Sequence, residues 1–148
     1  MKNKCKLIGF LYENKFHLAL LIFGSIIHIV GCFQNSLWFD EAYSVGLVQH
    51  DLVGLVKWSI GDVHPPLYYI MLKLFTLLFG NNLYVMRVFS TIGTILFAGL
   101  GLFHIKKDFG PTVGFWYTFC VLMTSSTLLY SLQIRMYTWA ALFVTLTA

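Results

Sequence analysis

The sequence predicts an all-α fold, a polytopic bundle of membrane helices with interfacial helices in its first outer loop. Three observations lead there. Only 11% of the 148 residues are charged and 58% are hydrophobic, whereas a soluble domain carries about 25% charged residues. Uncharged apolar runs of near-spanning length recur along the chain. The basic residues flank those runs, so the net charge of +4 is explained by membrane topology, and no nucleic-acid partner is expected.

Residues 1–15 carry Lys2, Lys4, Lys6 and Lys15 against Glu13 alone. The apolar run 16–33 follows. No small-residue cleavage site ends it, so it reads as an uncleaved helix with a cytoplasmic N-terminus. His28 lies inside this run and is expected to be a hydrogen-bonded bundle histidine rather than a ligand.

Residues 34–80 form the outer loop. They hold Asp40, Glu41, Asp51 and Asp62, four of the six carboxylates, together with His64. Ala42, Val45 and Val48, then Leu52, Leu55 and Val56, recur at helical spacing and suit two short helices lying in the interface. Gly61-Asp62 signals a turn, and Pro65-Pro66 can open a helix but not continue one. The apolar run 67–80 is too short to span at about 14 residues and contains Lys73. It is expected to stay in the outer interface, with Lys73 snorkelling to the headgroups.

That register sends residues 83–105 inward and leaves Lys106-Lys107 in the cytoplasm, as the positive-inside rule prefers. Gly93, Gly99 and Gly101 along this run permit close helix packing. Lys106, Lys107, Asp108 and Gly110-Pro111 make the inner turn. Residues 112–130 cross outward, and residues 136–148 begin a fourth helix. About 13 residues are too few to span, so the chain is expected to be cut within a membrane helix. Cys5, Cys32 and Cys120 show no CxxC or Cys/His spacing, so neither a disulfide framework nor structural zinc is expected.

The register gathers Asp40, Glu41, Asp62, His64, Arg87, Gln133 and Arg135 on one face, which marks a candidate site. Asp40 and Glu41 have two roles open to them. Acids near a helix N-terminus cap it, and a carboxylate in a partly dry pocket serves as a general base. One acid can do each. His64 can bind a metal or contact a phosphate, or simply sit beside the turn. Arg87 and Arg135 can snorkel to lipid phosphates or grip a substrate phosphate in a bidentate fork.

Four blocks, WFDEAYS, DVHPPLYY, YVMRVFS and YSLQIRMY, resemble in order and spacing the N-terminal part of polytopic GT-C-type glycosyltransferases. The likeness is nearest to the protein O-mannosyltransferase and aminoarabinose-transferase group and extends from Phe16 onward. The resemblance implies inverting sugar transfer from a polyprenyl-phosphate-linked donor to a hydroxyl of a lipid, protein or glycan acceptor outside the cytoplasm. It implies Asp40 as catalytic base, with Glu41 supporting it or binding the acceptor. It implies His64 in the donor pocket, Arg87 and Arg135 neutralising the lipid phosphate, and Gln133 and Tyr137 among the substrate-binding residues. No cofactor is required by it, and a divalent metal is left open. Many relatives carry an acid where this chain has Gln133, which keeps hydrogen bonding and loses the charge. The 148-residue chain lacks most of that family's helices and is expected to be inactive alone. Two other classes stand beside this one. They are a non-enzymatic membrane scaffold or transporter piece whose outer acids bind ions, and an inactive gene fragment. Transporter ion sites usually lie nearer the bilayer midplane.

Overall fold

The computed structural model describes residues 2–33, 36–61 and 64–147, with side chains from residue 8 onward. Gln34, Asn35 and Asp62 lie outside the described residues, as does the side chain of Cys5. Among the described residues all regular structure is helical. In order the helices are α1 (Lys2–Glu13), α2 (Lys15–Gly31), α3 (Phe39–Gln49), α4 (Leu52–Gly61), α5 (Pro66–Phe79) and α6 (Leu83–Leu100). One π turn (Gly101–Ile105) joins α6 to α7 (Lys106–Phe109). Then come α8 (Pro111–Met123), α9 (Ser125–Ser131) and α10 (Tyr137–Thr147).

The loop expected over residues 34–80 is therefore three short helices. Each begins where local chemistry allows it. Asp51 precedes α4 and its Oδ1 accepts from the Gly54 amide at 3.1 Å, a helix N-cap. Pro66 opens α5, where its missing N–H costs nothing. Asn82 caps α6 by accepting from the Val85 amide at 2.9 Å. Gly110 has φ +92°, a conformation that glycine adopts without steric cost, and it lets the chain reverse into Pro111 and α8.

α6 is the hub. It packs against α2, α5, α8, α9 and α10. Small residues set how close these helices come. Gly93 faces the Trp139 ring, where a Cβ would lie 2.8 Å from Cδ1. Gly101 and Gly114 abut backbone to backbone, so a Cβ on either would strike the other's carbonyl oxygen. Gly99, by contrast, faces open space. Polar groups also stitch the helices. His17 Nε2 meets Thr118 Oγ1 at 2.7 Å, and that hydroxyl donates to the Ala98 carbonyl at 2.8 Å.

The main core lies where α3, α4 and α5 fold over the first half of α6. Leu55, Tyr69, Leu72, Met86 and Ile134 are fully buried there. Many large apolar side chains elsewhere are exposed, among them Ile22, Phe23 and Val30 on α2 and Leu77, Leu78 and Phe79 on α5.

Length departs from expectation. One helix, the 27-residue Leu83–Phe109, is long and apolar enough to cross a membrane. A second qualifies only if α8 and α9 count as one broken span. The run 112–130, expected to cross outward, is two helices that meet at a bend of 60° between α8 and α9. Thr124 is extended there (ψ 131°), and its hydroxyl donates to the Cys120 carbonyl at 2.6 Å. A Ser/Thr hydroxyl competing for backbone groups is a recognised cause of helix bending. His28 occupies the bend. Its Nε2 donates to the Leu122 carbonyl at 3.0 Å, and its Nδ1 shares a 2.6 Å hydrogen bond with Ser131 Oγ. α2 has 17 residues, about 26 Å of helix, slightly short of the roughly 30 Å hydrocarbon core.

Lys73 also differs from expectation. Its ammonium does not reach outward but donates to the Val48 and His50 carbonyls at 2.8 and 2.6 Å. A lysine closing the last turn of α3 satisfies carbonyls that the helix end leaves without partners.

Candidate functional site

Asp40 and Glu41 are the second and third residues of α3. Neighbours on a helix point about 100° apart, because a turn takes 3.6 residues. The two acids therefore enter different surroundings.

Glu41 points inward and is 1% exposed. Its Oε1 accepts from Arg87 Nε at 3.0 Å and from the Ile134 amide at 3.2 Å. Its Oε2 accepts from Arg87 Nη2 at 2.9 Å and from the Trp38 amide at 3.1 Å. The last contact is the reach-back half of a capping box. Four donors fill the acceptor sites of an ionised carboxylate. Glu41 is therefore fully engaged in holding the first turn of α3 to Arg87 and to the Ile134 amide. Arg87, 2% exposed, is committed in the same way. Its Nη2 also donates to the Ser36 carbonyl at 2.6 Å. It does not line the cavity beside Asp40. Gln133 sits with Glu41 and Arg87, along with Trp38, Leu129 and Leu132, around a space of only about 40 Å³.

Asp40 points the other way, and its side chain is 58% exposed. It lines a cavity of about 520 Å³ with Phe39, Ala42, Tyr43, His64 and Arg135. Arg135 Nη2 lies 3.4 Å from Asp40 Oδ2. Arg135 is 7% exposed, and its Nε and Nη1 have no hydrogen-bond partner among the described residues. Burial opposes the Arg135 charge, but Tyr69, Asp40 and Tyr137 beside it outweigh burial and hold its pKa above the ordinary arginine value. The guanidinium stays cationic. Arg135 thus brings a largely buried positive charge to the cavity wall, with Nη2 toward Asp40 and Tyr137 beside the guanidinium, and such a charge attracts an anion.

His64 forms the opposite wall. Its ring lies 5.8 Å from Tyr43 and 6.3 Å, edge to face, from Tyr69. Tyr137 stands beside Arg135 and packs edge to face on Tyr130. It influences the cavity through Arg135.

Of the expected site residues, the structure brings Asp40, His64 and Arg135 to one cavity and sets Glu41, Arg87 and Gln133 apart behind it. Phe39 and Tyr43 were missed as lining residues. Tyr43 carries a legible signal, since it lies three residues after Asp40 and so shares its helix face. Asp62 lies outside the described residues. No group of three or more metal-ligating side chains assembles among the described residues. Asp40 and His64 share their cavity with the cationic Arg135. No step below uses a divalent cation.

Comparison with known protein families, with curated proteins and with solved structures finds no match.

Proposed function

We propose that this chain is a multi-pass membrane glycosyltransferase, or the N-terminal part of one, that transfers a sugar from a polyprenyl-phosphate donor to an acceptor hydroxyl outside the cytoplasm. One observation carries it. An accessible carboxylate, Asp40, and a largely buried arginine, Arg135, line the same 520 Å³ cavity, with Arg135 Nη2 3.4 Å from Asp40 Oδ2. These are the two charges that an inverting transfer from a lipid phosphate requires.

Asp40 takes the proton from the acceptor hydroxyl. The freed oxygen attacks the anomeric carbon, whose bond to the phosphate oxygen breaks. The phosphate leaves with that electron pair, and the Arg135 guanidinium offsets its charge. Charge on the sugar builds in an oxocarbenium-like transition state, as in other glycosyl transfers. Glu41 and Arg87 act behind this pair. They lock the first turn of α3 against α6 and the Ile134 amide, which fixes where Asp40 and Arg135 stand.

The membrane setting is supported by the 27-residue apolar helix and by the broad exposed apolar surface of α2 and α5. Large exposed apolar surfaces are atypical of soluble proteins. In this arrangement α2, α6, α8–α9 and α10 lie within the bilayer. α3, α4 and α5 lie at its outer surface, and Lys106-Lys107 lie at the inner one.

The test is transfer of radiolabelled sugar from a polyprenyl-phosphate donor by the chain in its native membranes. Asp40→Asn is expected to lower the rate by about 10²–10⁴-fold, the usual contribution of a general base, with the protein level unchanged. A non-enzymatic scaffold predicts that Asp40→Asn leaves function intact and that the donor is not bound. Unaltered transfer by Asp40→Asn overturns the assignment of the base.

A further inference from the structure

We infer that the cleft between α3 and α4, next to the Asp40 cavity, is a subsite for a neutral pyranose ring, and that the acceptor is accordingly a glycan. This rests on the transferase proposed above and names its acceptor class.

The cleft has a volume of about 260 Å³ and is lined by Tyr43, Gly46, Leu47, His50 and Trp58. Tyr43 also lines the Asp40 cavity, so the two spaces adjoin. Asp40, Tyr43, Leu47 and His50 recur at intervals of three and four residues, which places them along one side of α3. Gly46 lies about 9 Å along the axis from Asp40, and His50 about 15 Å, at 1.5 Å per residue. A ring held in the cleft is thus one or two sugar units from the base.

The lining matches the two sides of a pyranose. Trp58 is 60% exposed, and its ring stacks near that of His50 at 6.2 Å and 26°. An aromatic face is electron-rich, and it attracts the polarised C–H groups of a sugar's apolar face. The His50 imidazole offers ring nitrogens to the hydroxyl rim. A Cβ placed on Gly46 would meet nothing within 4 Å, so a ligand finds open room there.

The chemistry also excludes competitors. The lining contains no charged side chain, so a phosphate or carboxylate has no counter-ion. Its polar groups are the Tyr43 hydroxyl, the His50 ring nitrogens and the Trp58 N–H, which suit scattered hydroxyls better than the regularly repeating backbone of a bound peptide. The cleft is also held rigid. Lys73 clamps the carbonyls of Val48 and His50, so His50 is placed before any ligand arrives, which lowers the ordering cost of binding.

The test uses saturation-transfer NMR on the whole chain in lipid nanodiscs. The probes are the methyl pyranosides of glucose, mannose, galactose and N-acetylglucosamine. The expected result is saturation of ring C–H protons in at least one probe. Trp58→Ala, at an exposed position, and Gly46→Leu, which fills the open space with a good helix former, should each weaken that binding about tenfold. Asp40→Asn should leave it unchanged. Binding of none of the four probes overturns the inference. So does binding indifferent to both cleft substitutions. Quenching of Trp58 fluorescence by brominated lipid also overturns it, since that makes Trp58 a membrane anchor. Sugar transfer to a peptide or lipid without pyranoside binding rejects the subsite and keeps the transferase. Pyranoside binding without transfer does the reverse.

Discussion

Glu41 and Arg87 meet side on, Oε1 to Nε at 3.0 Å and Oε2 to Nη2 at 2.9 Å, with both side chains at most 3% exposed. Removing one member of a buried pair strands the other charge and costs about 3–5 kcal/mol. Glu41→Ala and Arg87→Ala should each destabilise the protein by that amount, read as loss of thermal stability or of protease resistance in nanodiscs. The double variant should lose less than the sum of the two, because the stranded charge is then gone. Additive losses would show that the two side chains do not share an interaction.

Arg135 differs in having donors to spare. Affinity for inorganic pyrophosphate, used as a probe of the cationic cavity wall, should fall about tenfold or more in Arg135→Gln. Arg135→Lys should recover little, because an ammonium does not reproduce the planar, multi-donor guanidinium. Isothermal titration calorimetry reads both. The pH profile adds a check. The folded-state pKa of Arg135 is raised, so the favourable term is complete below the unfolded value and is lost only above the folded one. Both lie beyond the usual working range, so pyrophosphate affinity should show no loss attributable to Arg135 between neutral and moderately alkaline pH. Rescue by Arg135→Lys would remove the bidentate role.

Two glycines make opposite predictions from one substitution. Gly114→Ala drives a Cβ into the Gly101 carbonyl and must push α8 away from the π turn. Overpacking of this kind costs about 1–3 kcal/mol. Gly99→Ala meets nothing and, inside a helix, should stabilise by about 0.5–1 kcal/mol. Thermal shifts of opposite sign are expected, and equal shifts would deny the close approach of α8.

His28 fastens the bend between α8 and α9. His28→Phe keeps much of the volume and leaves the Leu122 carbonyl and Ser131 hydroxyl without this partner. A loss of about 1–3 kcal/mol is expected. Spin labels at the exposed positions Val113 and Leu129 should show a broader distance distribution than in the parent. An unchanged distribution would assign the bend to Thr124 alone.

The helices were largely legible in the sequence. Apolar runs and their punctuation place α2, α3, α4, α5 and the start of α6 close to where they lie, because caps and prolines act locally. The choice of partners was not legible. Two acids and two arginines allow more than one pairing, and the outcome depends on the 100° between Asp40 and Glu41 and on which strand of chain lies behind each. Nor did hydropathy show the bend at residue 124, since Thr124 and its neighbours Ser125, Ser126 and Thr127 do not break an apolar run. That unusual cluster of four hydroxyls was the available signal, because each can divert a backbone hydrogen bond. Lys73 was misjudged for a related reason. Its spacing says that it can reach the surface, while the bare carbonyls of Val48 and His50 become visible only once α3 and α5 are folded side by side.

The order in which Glu41 gains its partners has a consequence for biosynthesis. Arg87 lies 46 residues downstream and the Ile134 amide 93. At about 5–20 residues per second, the ribosome finishes Ile134 roughly 5–20 s after Glu41. Arg87 emerges after about half of that interval and supplies the charge partner, so what Glu41 lacks until the end is its last backbone donor. The first turn of α3 is therefore completed late, since its anchoring acid takes its final donor from the segment just before α10.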